Sequence, residues 1–476
     1  MCTSISVGKN ATIYGSPIIS RNEDFGSNIK NKYMVYRQKP FWEGTTKNVT
    51  FGNGLTVPVA EKAYKYSAMP DCNAAEEAVS DCGDRYYFEE RGINEKNTAI
   101  SATNSMGQNE FAAEVDALVP VGICEDIILT LILPQVETAE KGVMLLGWYV
   151  ENYGASECAG IQFCDENEAW YMEICGGHSW IAVRIPDDKC AVIANCMVIH
   201  GVDLQSPDVK HSANLFKTAK LICNNPKVEV EPDINCFNSS KIFGFDESMK
   251  DRTDLYYNID RLWAAQRFLT GEDDLEPRRE SQYYPLFITP KEKLSASHIA
   301  YAMRLNYSGT PIENADPKPS RPIGVTRNQE LHIITFLPNL QKNLKGIMWQ
   351  SLSAISGTIV IPVFAVAENY PQEYAFGDNN NFSKDSAYWV FRTLFALSDA
   401  LGEDVLQNLL NYNRKTENEY FSECNDFINL LETCDYDKAV RFAADFSFGL
   451  LHKYYGNCKA LLDNLVMENI VNQKDL

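Results

Sequence analysis

The sequence predicts an α+β fold in which helices cover antiparallel sheets. Short aromatic and β-branched runs recur with turn residues between them, which is typical of consecutive hairpins. Segments with apolar residues at three- and four-residue spacing interrupt these runs and predict amphipathic helices. After about Tyr370 the helical pattern becomes almost continuous. Strands that follow one another in hairpins favour antiparallel sheets over a doubly wound parallel sheet.

The predicted strands begin at the amino terminus. CTSISV is an alternating strand, residues 8–10 form a turn, and ATIYGSPIIS leads into an Arg-Asn-Glu-Asp cluster at residues 21–24. Cys2 therefore begins a strand, and the cluster follows one hairpin's length later. Loops and short strands are predicted for residues 30–90, and NTAISATNS is a further strand that ends at Asn104.

Helices and strands then alternate in groups. Helical periodicity is present in CEDIILTLIL and TAEKGVMLLGWYVENYG, and a meander of strands is predicted for EAWYMEICG, SWIAVRIP and CAVIANCMVI. Helices return in NIDRLWAAQRFLTG and SASHIAYAMRLN, and strands return in LHIITFLP, KGIMWQSL and GTIVIPVFAVA. We expect a main body at residues 1–375 and a helical segment at residues 376–476 that packs on it.

Composition argues against several classes of protein. The 476 residues include 64 acidic and 43 basic side chains, a net charge of -21, which disfavours a surface for nucleic acid or anionic membranes. The longest apolar runs are shorter than the roughly 20 residues that cross a bilayer. The amino terminus has no basic segment followed by an apolar core, so a cytoplasmic location is expected. The 14 cysteines are accordingly expected to be reduced thiols.

The residues best suited to chemistry lie at the amino terminus. Removal of Met1, which aminopeptidases favour before a small side chain, would leave Cys2 with a thiol and an α-amine on one residue. The amine can then take the thiol proton. Arg21 is a candidate cation that favours the thiolate, and Asp24 could accept a hydrogen bond from the amine. The alternative is a structural salt bridge between Arg21 and Asp24, with Cys2 incidental.

Several stretches carry a resemblance to a known family. The segment from Cys2 to Asp24 resembles the opening of the N-terminal-nucleophile cysteine hydrolases that include bile salt hydrolase and penicillin V acylase. MEICGGHSWIAVRIPDD and SRPIGVTRNQELHI resemble the bacterial dipeptidase A family within that group, and this likeness covers most of the first 370 residues. The resemblance implies a four-layer αββα sandwich of two antiparallel sheets, with Cys2 as nucleophile, Arg21 as the cation beside the thiolate and Asp24 as the carboxylate that orients the amine.

The resemblance also implies the remaining site residues. INEKNTAISATN resembles an acylase strand and places the backbone N–H of Asn104 at the oxyanion, although Asn97 stands where the acylases have glycine, which should alter only a turn. VIANCM matches a segment that makes Asn195 a side-chain donor to the same oxyanion. NIDRLWAAQRFL resembles a helix that carries an active-site arginine. Arg261 is the expected match and Arg267 is its rival.

Cys175 and His178 in ICGGHSW could suggest a second cysteine-histidine pair. Gly176 and Gly177 make a turn there, and the spacing matches no cysteine-protease signature, so a structural role is favoured. His178 lies within the dipeptidase-like stretch and is kept as a candidate substrate contact. No GxGxxG, Walker or HExxH pattern is present, so no cofactor or metal is expected.

The expected function is hydrolysis of a broad range of dipeptides through an acyl-enzyme on Cys2. The first alternative is an acylase of the penicillin V acylase or bile salt hydrolase type, whose pocket should be apolar. The second is a non-catalytic binding protein with retained Met1 or an unreactive Cys2. Dipeptides are the expected partners, nucleic acid and membranes are not, and a symmetric homo-oligomer is expected from the class of enzyme.

Overall fold

The part of the chain described by the computed structural model comprises residues 2–24, 31–40, 42, 48–72, 88–244, 255–280, 282–319 and 321–471. Met1, whose removal the sequence predicts, lies outside the described residues. So does Ser320, the first residue of one dipeptidase-like stretch.

Strands that pair antiparallel form the centre of the molecule. In the described residues they are β1 Cys2–Val7, β2 Ile18–Asp24, β3 Val35–Arg37, β4 Asn48–Thr50, β5 Thr56–Pro58, β6 Tyr66–Pro70, β7 Glu89–Asn94, β8 Ala99–Met106, β9 Cys158–Cys164, β10 Ala169–Ile174, β11 Trp180–Arg184, β12 Cys190–Ile193, β13 Val209–His211, β14 Asn328–Phe336, β15 Gly346–Leu352 and β16 Ile361–Phe364. A six-stranded sheet has the order β12-β1-β2-β14-β15-β16, and an eight-stranded sheet has the order β13-β11-β10-β9-β8-β7-β6-β3. Strands β4 and β5 form a separate hairpin.

Helices cover the outer faces of both sheets. The described α-helices are Glu110–Val115, Glu125–Ile132, Ala139–Tyr153, Leu215–Cys223, Ser239–Phe243, Asp260–Thr270, Ala296–Met303, Ala387–Leu401, Glu403–Glu432 and Tyr436–Val471. The second and third of these pack on the eight-stranded sheet, and the last five pack on the six-stranded sheet. Since β1 and β2 contact β8 and β9 face to face, the layers run helix, sheet, sheet, helix. None of these helices has the length and apolar character needed to cross a membrane.

This architecture confirms the predicted α+β class with two antiparallel sheets and a helical carboxy-terminal segment. The predicted first hairpin is also present, with Cys2 opposite Glu23. Its connection differs from the prediction, because a short 3-10 turn at Lys9–Ala11 precedes β2 and the strand starts only at Ile18. Asn97 lies in the turn before β8 with a φ of 59°, a left-handed conformation that asparagine tolerates better than most residues.

Two predictions about strands are wrong. CAVIANCMVI was expected to continue a meander, but β12 joins the six-stranded sheet and pairs with β1, while β13 takes the place beside β11. The turn at residues 185–189 thus crosses between the sheets, which strand patterns cannot reveal. In addition, β8 continues past Asn104 to Met106 and pairs with the unpredicted strand β9.

Register determines which side chains meet between the sheets. Alternate residues of a strand share one face. Ser4 pairs with Arg21, Arg21 with His332 and His332 with Gln350, so this row crosses four strands on the face that also carries Cys2. The row faces the eight-stranded sheet and gives the core a polar centre at the amino-terminal end of β1.

Glycine at position 147 is required by close packing between a helix and a sheet. A Cβ at Gly147, in helix Ala139–Tyr153, would lie 2.3 Å from the ring of Trp180. We expect Gly147→Ala to destabilise the fold by about 1–3 kcal/mol despite the better helix propensity of alanine. Gly456→Ala, in helix Tyr436–Val471 with no atom within 4 Å, should instead stabilise by about 1 kcal/mol. Urea denaturation of both variants checks this, and equal effects would contradict it.

Candidate active site

The thiol of Cys2 lies in the polar centre between the sheets. Its side chain is buried, with 1% of its surface exposed. The Arg21 guanidinium donates from Nη1 to the Cys2 Sγ at 3.0 Å and to the carbonyl oxygen of Thr103 at 3.0 Å. Arg21 is therefore held between β2, which carries it, and β8 of the facing sheet.

Burial has the largest effect on the protonation of this thiol. It raises the pKa of the Cys2 thiol, and the nearby Arg21 guanidinium offsets only part of that rise. Arg21 thus favours the thiolate, as its position in the sequence suggested, but the effect of burial cannot be read from the residues. A thiol that keeps its proton needs a base beside it before it can attack.

Side chains from other elements hold the main chain of Cys2. Its nitrogen donates to Oδ1 of Asn195 at 3.0 Å, and its carbonyl oxygen accepts from Nη1 of Arg261 at 2.6 Å. Asn195 lies two residues after the end of β12, and the pairing of Ser4 with Ile193 brings it beside Cys2. Its Nδ2 donates to the carbonyl oxygen of Ser105 at 3.0 Å. These contacts orient the nitrogen of Cys2, while a role of Asn195 at the oxyanion stays a prediction.

Arg261 and its rival occupy different surroundings. Arg261 is fully buried and also donates to Thr3 Oγ1 and Asn195 Oδ1, both at 2.9 Å. Burial lowers its pKa to about 10, with help from Arg321, so it remains charged at neutral pH. Arg267 points away and contacts Asp273 near the surface. The structure therefore brings Arg261, and not Arg267, to Cys2.

Asn104 joins the two sheets beside the thiol. Its Oδ1 accepts from Ser4 Oγ at 2.6 Å, and its Nδ2 donates to the carbonyl oxygens of Cys2 at 3.4 Å and Ala194 at 3.3 Å. The side chain thus fixes the start of β1 and the end of β12 against β8. This places Asn104 at the site, while the use of its backbone N–H as an oxyanion donor stays a prediction.

Asp24 ends β2, on the strand next to Cys2. Its Oδ2 forms ion pairs with Arg321 and, at 3.2 Å, with Nε of Arg327. Burial would raise the pKa of this carboxyl, but Arg321 lowers it below the ordinary range for aspartate. Asp24 is therefore ionised, as a carboxylate that orients an ammonium group must be.

Comparison with known proteins shows which family the chain belongs to. The model of peptidase family C69 matches residues 1–415. The chain belongs to peptidase family C69. The "Probable dipeptidase" of Latilactobacillus sakei is 35% identical over 404 residues, 83% of this chain and 80% of that protein. The "Dipeptidase" of Bifidobacterium longum (strain NCC 2705) is 29% identical, and the match covers 87% of this chain and 80% of that protein. The "Dipeptidase A" of Lactobacillus helveticus is 28% identical, and the match covers 84% of this chain and 82% of that protein. The resemblance to the dipeptidase A family is confirmed.

The other candidate pair in this C69 chain is not assembled. Cys175 is buried and its Sγ lies 3.2 Å from Ser239 Oγ. The ring of His178 is half exposed and lies 3.4 Å from Asp116, which also binds the backbone N–H of His178 at 3.0 Å. The structural interpretation of ICGGHSW therefore agrees with the geometry, and substrate contact by His178 stays a prediction.

Buried ion pairs behind the thiol were not anticipated. Arg21 also pairs with Glu90, and Lys32 lies among Glu23, Asp71 and Glu90, with its Nζ 2.7 Å from Glu23 and 3.3 Å from Glu90. These three carboxylates are the group among the described residues that could hold a metal ion, but the lysine ammonium already lies within it. Burial and Glu90 raise the pKa of Glu23 well above its ordinary range, and Lys32 opposes this rise.

Further residues of the C69 site were missed by the sequence reasoning. Asn258 forms two hydrogen bonds with the backbone of Asn195, at 3.0 Å and 3.2 Å, and Arg321 pairs with Asp24. Both lie in stretches that resembled the family, and Asn258 precedes Arg261 by three residues, so helical spacing could have indicated it. No comparable signal pointed to Glu90, which follows a segment without clear periodicity.

Proposed function

We propose that this chain is a dipeptidase of broad substrate range whose nucleophile is the thiol of Cys2 after loss of Met1. The observation that carries the proposal is the placement of Cys2, with Arg21 on its sulfur and Asn195 on its nitrogen, each at 3.0 Å. The relatives of this chain are named as dipeptidases, which supports the choice of substrate.

Attack on the peptide carbonyl forms the first new bond. The α-amine of Cys2 takes the thiol proton, and the sulfur bonds to the carbonyl carbon while the carbonyl electrons move to oxygen. We propose that the backbone N–H of Asn104 and the side chain of Asn195 donate hydrogen bonds to the resulting oxyanion. Removal of one oxyanion donor typically lowers kcat by about 10²- to 10³-fold. Arg21 supplies the positive charge that the thiolate needs.

Collapse of this intermediate breaks the carbon–nitrogen bond. The α-ammonium gives its proton to the leaving amine, and the acyl group remains on Cys2 as a thioester. The same amine then takes a proton from water, whose oxygen attacks the thioester and releases the acid as the sulfur regains a proton. Asp24, which carries a negative charge next to β1, is proposed to orient the amine throughout.

Recognition of a dipeptide requires groups for both of its charged ends. Burying an unpaired charge is costly, so the free amine and the carboxylate of the substrate should each meet an opposite charge. The surroundings of Cys2 contain buried charges such as Arg21, Glu90 and Arg261. This polarity favours a charged dipeptide over the acyl chain of a penicillin or a conjugated bile acid, which would need an apolar pocket.

Hydrolysis rates on a matched substrate panel test the proposal. We expect dipeptides with varied side chains to be cleaved. The N-acetyl, amide and tetrapeptide forms of the same sequence should be cleaved at least about 10-fold more slowly. The reason is that protein groups which pair with the charged ends of a dipeptide would lose their partners, at a cost of about 1–3 kcal/mol. Equal cleavage of tetrapeptides would contradict dipeptide specificity. Preference for acyl amides would favour the acylase alternative.

A cytoplasmic location, a homo-oligomer and the division at residue 375 remain predictions from the sequence.

A further inference from the structure

A continuous line of hydrogen bonds leads from Glu330 to the Cys2 thiol. Glu330 Oε1 lies 2.8 Å from Nδ1 of His332, and Nε2 of His332 lies 2.8 Å from Ser101 Oγ. Arg21 donates from Nε to the same Ser101 Oγ at 3.3 Å and from Nη1 to Cys2 Sγ at 3.0 Å. Each of these five side chains is at most 1% exposed. The line therefore runs entirely inside the protein.

The fold brings these residues together from four strands, β1, β2, β8 and β14. His332 on β14 pairs directly with Arg21 on β2, so both side chains project toward the facing sheet. Glu330 lies two residues earlier on β14 and shares that face. Ser101 comes from β8 of the eight-stranded sheet, and its hydroxyl fills the space between Arg21 and His332.

The donors in this line follow from the carboxylate at one end and the guanidinium at the other. A guanidinium only donates, so Ser101 Oγ accepts from Arg21 and has its own hydrogen left to donate. An ionised carboxylate only accepts, so Nδ1 of His332 carries a hydrogen and donates it to Glu330. In a neutral ring Nε2 then carries no hydrogen and accepts from Ser101 Oγ. One neutral tautomer of His332 satisfies every contact.

The charges around His332 agree with this assignment. Burial lowers the pKa of His332, and Arg21 from β2 and Arg91 from β7 lower it further, whereas Glu330 on its own strand opposes them. Burial would raise the pKa of Glu330, but His332 and Arg21 bring it to about 2. A neutral imidazole beside an ionised carboxylate is therefore the state at neutral pH.

We propose that Glu330, His332 and Ser101 form a positioning relay that holds Arg21 against the Cys2 sulfur. This inference rests on the proposed function, in which Cys2 is the nucleophile. The relay has the residue types of a serine-histidine-acid triad, but Ser101 is buried and its oxygen already accepts from Arg21. Its members are positioning residues that act through Arg21 and do not reach the substrate.

Loss of the Ser101 hydroxyl should shift Arg21 relative to the Cys2 sulfur, while its contacts with Thr103 and Glu90 remain. Nε of the guanidinium would be left buried without an acceptor, which favours movement of the whole group. The thiolate would then be less well stabilised, so both alkylation of Cys2 and kcat should fall by about 10- to 100-fold, by analogy with the loss of a partner that orients a metal ligand. KM should change little, because the relay does not touch the substrate.

Ser101→Ala, with two matched variants, tests this relay. Ser101→Thr keeps the hydroxyl and should restore alkylation and kcat to within about 3-fold of the wild type. Thr335→Val removes a buried hydroxyl from β14 that bonds to Trp349 at 3.0 Å, and should leave both rates unchanged. The rate of Cys2 alkylation by iodoacetamide is measured against pH on full-length protein that lacks Met1. Ser101→Ala should shift the profile to higher pH, and a folded Ser101→Ala protein with the wild-type profile would overturn the proposal.

A measurement on the unsubstituted protein makes the test independent of folding. The ¹⁵N spectrum of histidine-labelled protein at pH 7 should show one buried, neutral ring with its hydrogen on Nδ1, assigned to His332 by its loss in His332→Gln. A charged ring or the Nε2–H tautomer would overturn the relay. Cys2→Ala is assayed in parallel, and if it still hydrolyses dipeptides the proposed function fails. Alkylation needs no substrate, so it still decides whether Ser101 controls the thiol.

Discussion

Replacement of Cys2 by alanine is expected to abolish dipeptide hydrolysis, with a fall in kcat of about 10⁴-fold or more. Loss of a nucleophile that acts together with its base has effects of this size or larger in other hydrolases. The reason here is that the Cys2 sulfur lies 3.0 Å from the Arg21 guanidinium, and the amine of Cys2 itself supplies the base. Steady-state hydrolysis of a good dipeptide, with thermal unfolding recorded alongside, checks the result.

Cys190→Ala is the matched control for this prediction. Cys190 is buried in β12 and pairs with Val7 at the far end of β1, so its loss probes the same sheet without touching the site. We expect a loss of stability of about 1–2 kcal/mol and an unchanged kcat. More than about one hundredth of the wild-type rate in Cys2→Ala would place the nucleophile elsewhere.

Arg261→Ala is expected to lower kcat by about 10²- to 10³-fold and to destabilise the fold. The guanidinium binds the carbonyl oxygen of Cys2 and the side chains of Thr3 and Asn195. Without it, Oδ1 of Asn195 loses one of its donors, and the nitrogen of Cys2, which donates to the same Oδ1, is oriented less precisely. Buried groups left without a partner cost about 1–3 kcal/mol each. Kinetics and urea denaturation of the same preparation separate the two effects.

Arg267→Ala provides the comparison, because it removes the same side chain six residues later on the same helix. Arg267 contacts Asp273, whose side chain is almost fully exposed, and exposed ion pairs contribute about 0–1 kcal/mol. We expect kcat within about 2-fold of the wild type. If the two variants were equally impaired, the assignment of Arg261 to the site would be wrong.

Local patterns in the sequence were enough for the elements that carry the site. The alternation in CTSISV places Cys2 at the start of a strand, and one hairpin brings Arg21 and Asp24 to the neighbouring strand. Such contacts are close in the chain, so they follow from strand periodicity and turn residues. Arg261 required the resemblance to a family in addition, because periodicity alone does not distinguish it from Arg267.

Contacts between distant strands could not be predicted in this way. The pairing of β12 with β1 places Asn195 beside Cys2 across 193 residues, and Ser101 meets His332 across 231. Both depend on which sheet a strand joins, and strand patterns do not contain that information. The raised pKa of the Cys2 thiol was missed for a related reason, since burial is a property of the assembled core.

The most direct test of the account is the intact mass of the purified protein before and after brief treatment with iodoacetamide, combined with peptide mapping of the amino terminus and a dipeptide hydrolysis assay. The account predicts that Met1 is absent, that Cys2 is the first of the 14 cysteines to react, and that this modification abolishes hydrolysis. Met1 retained in active protein, or an unchanged rate after Cys2 is blocked, would contradict it.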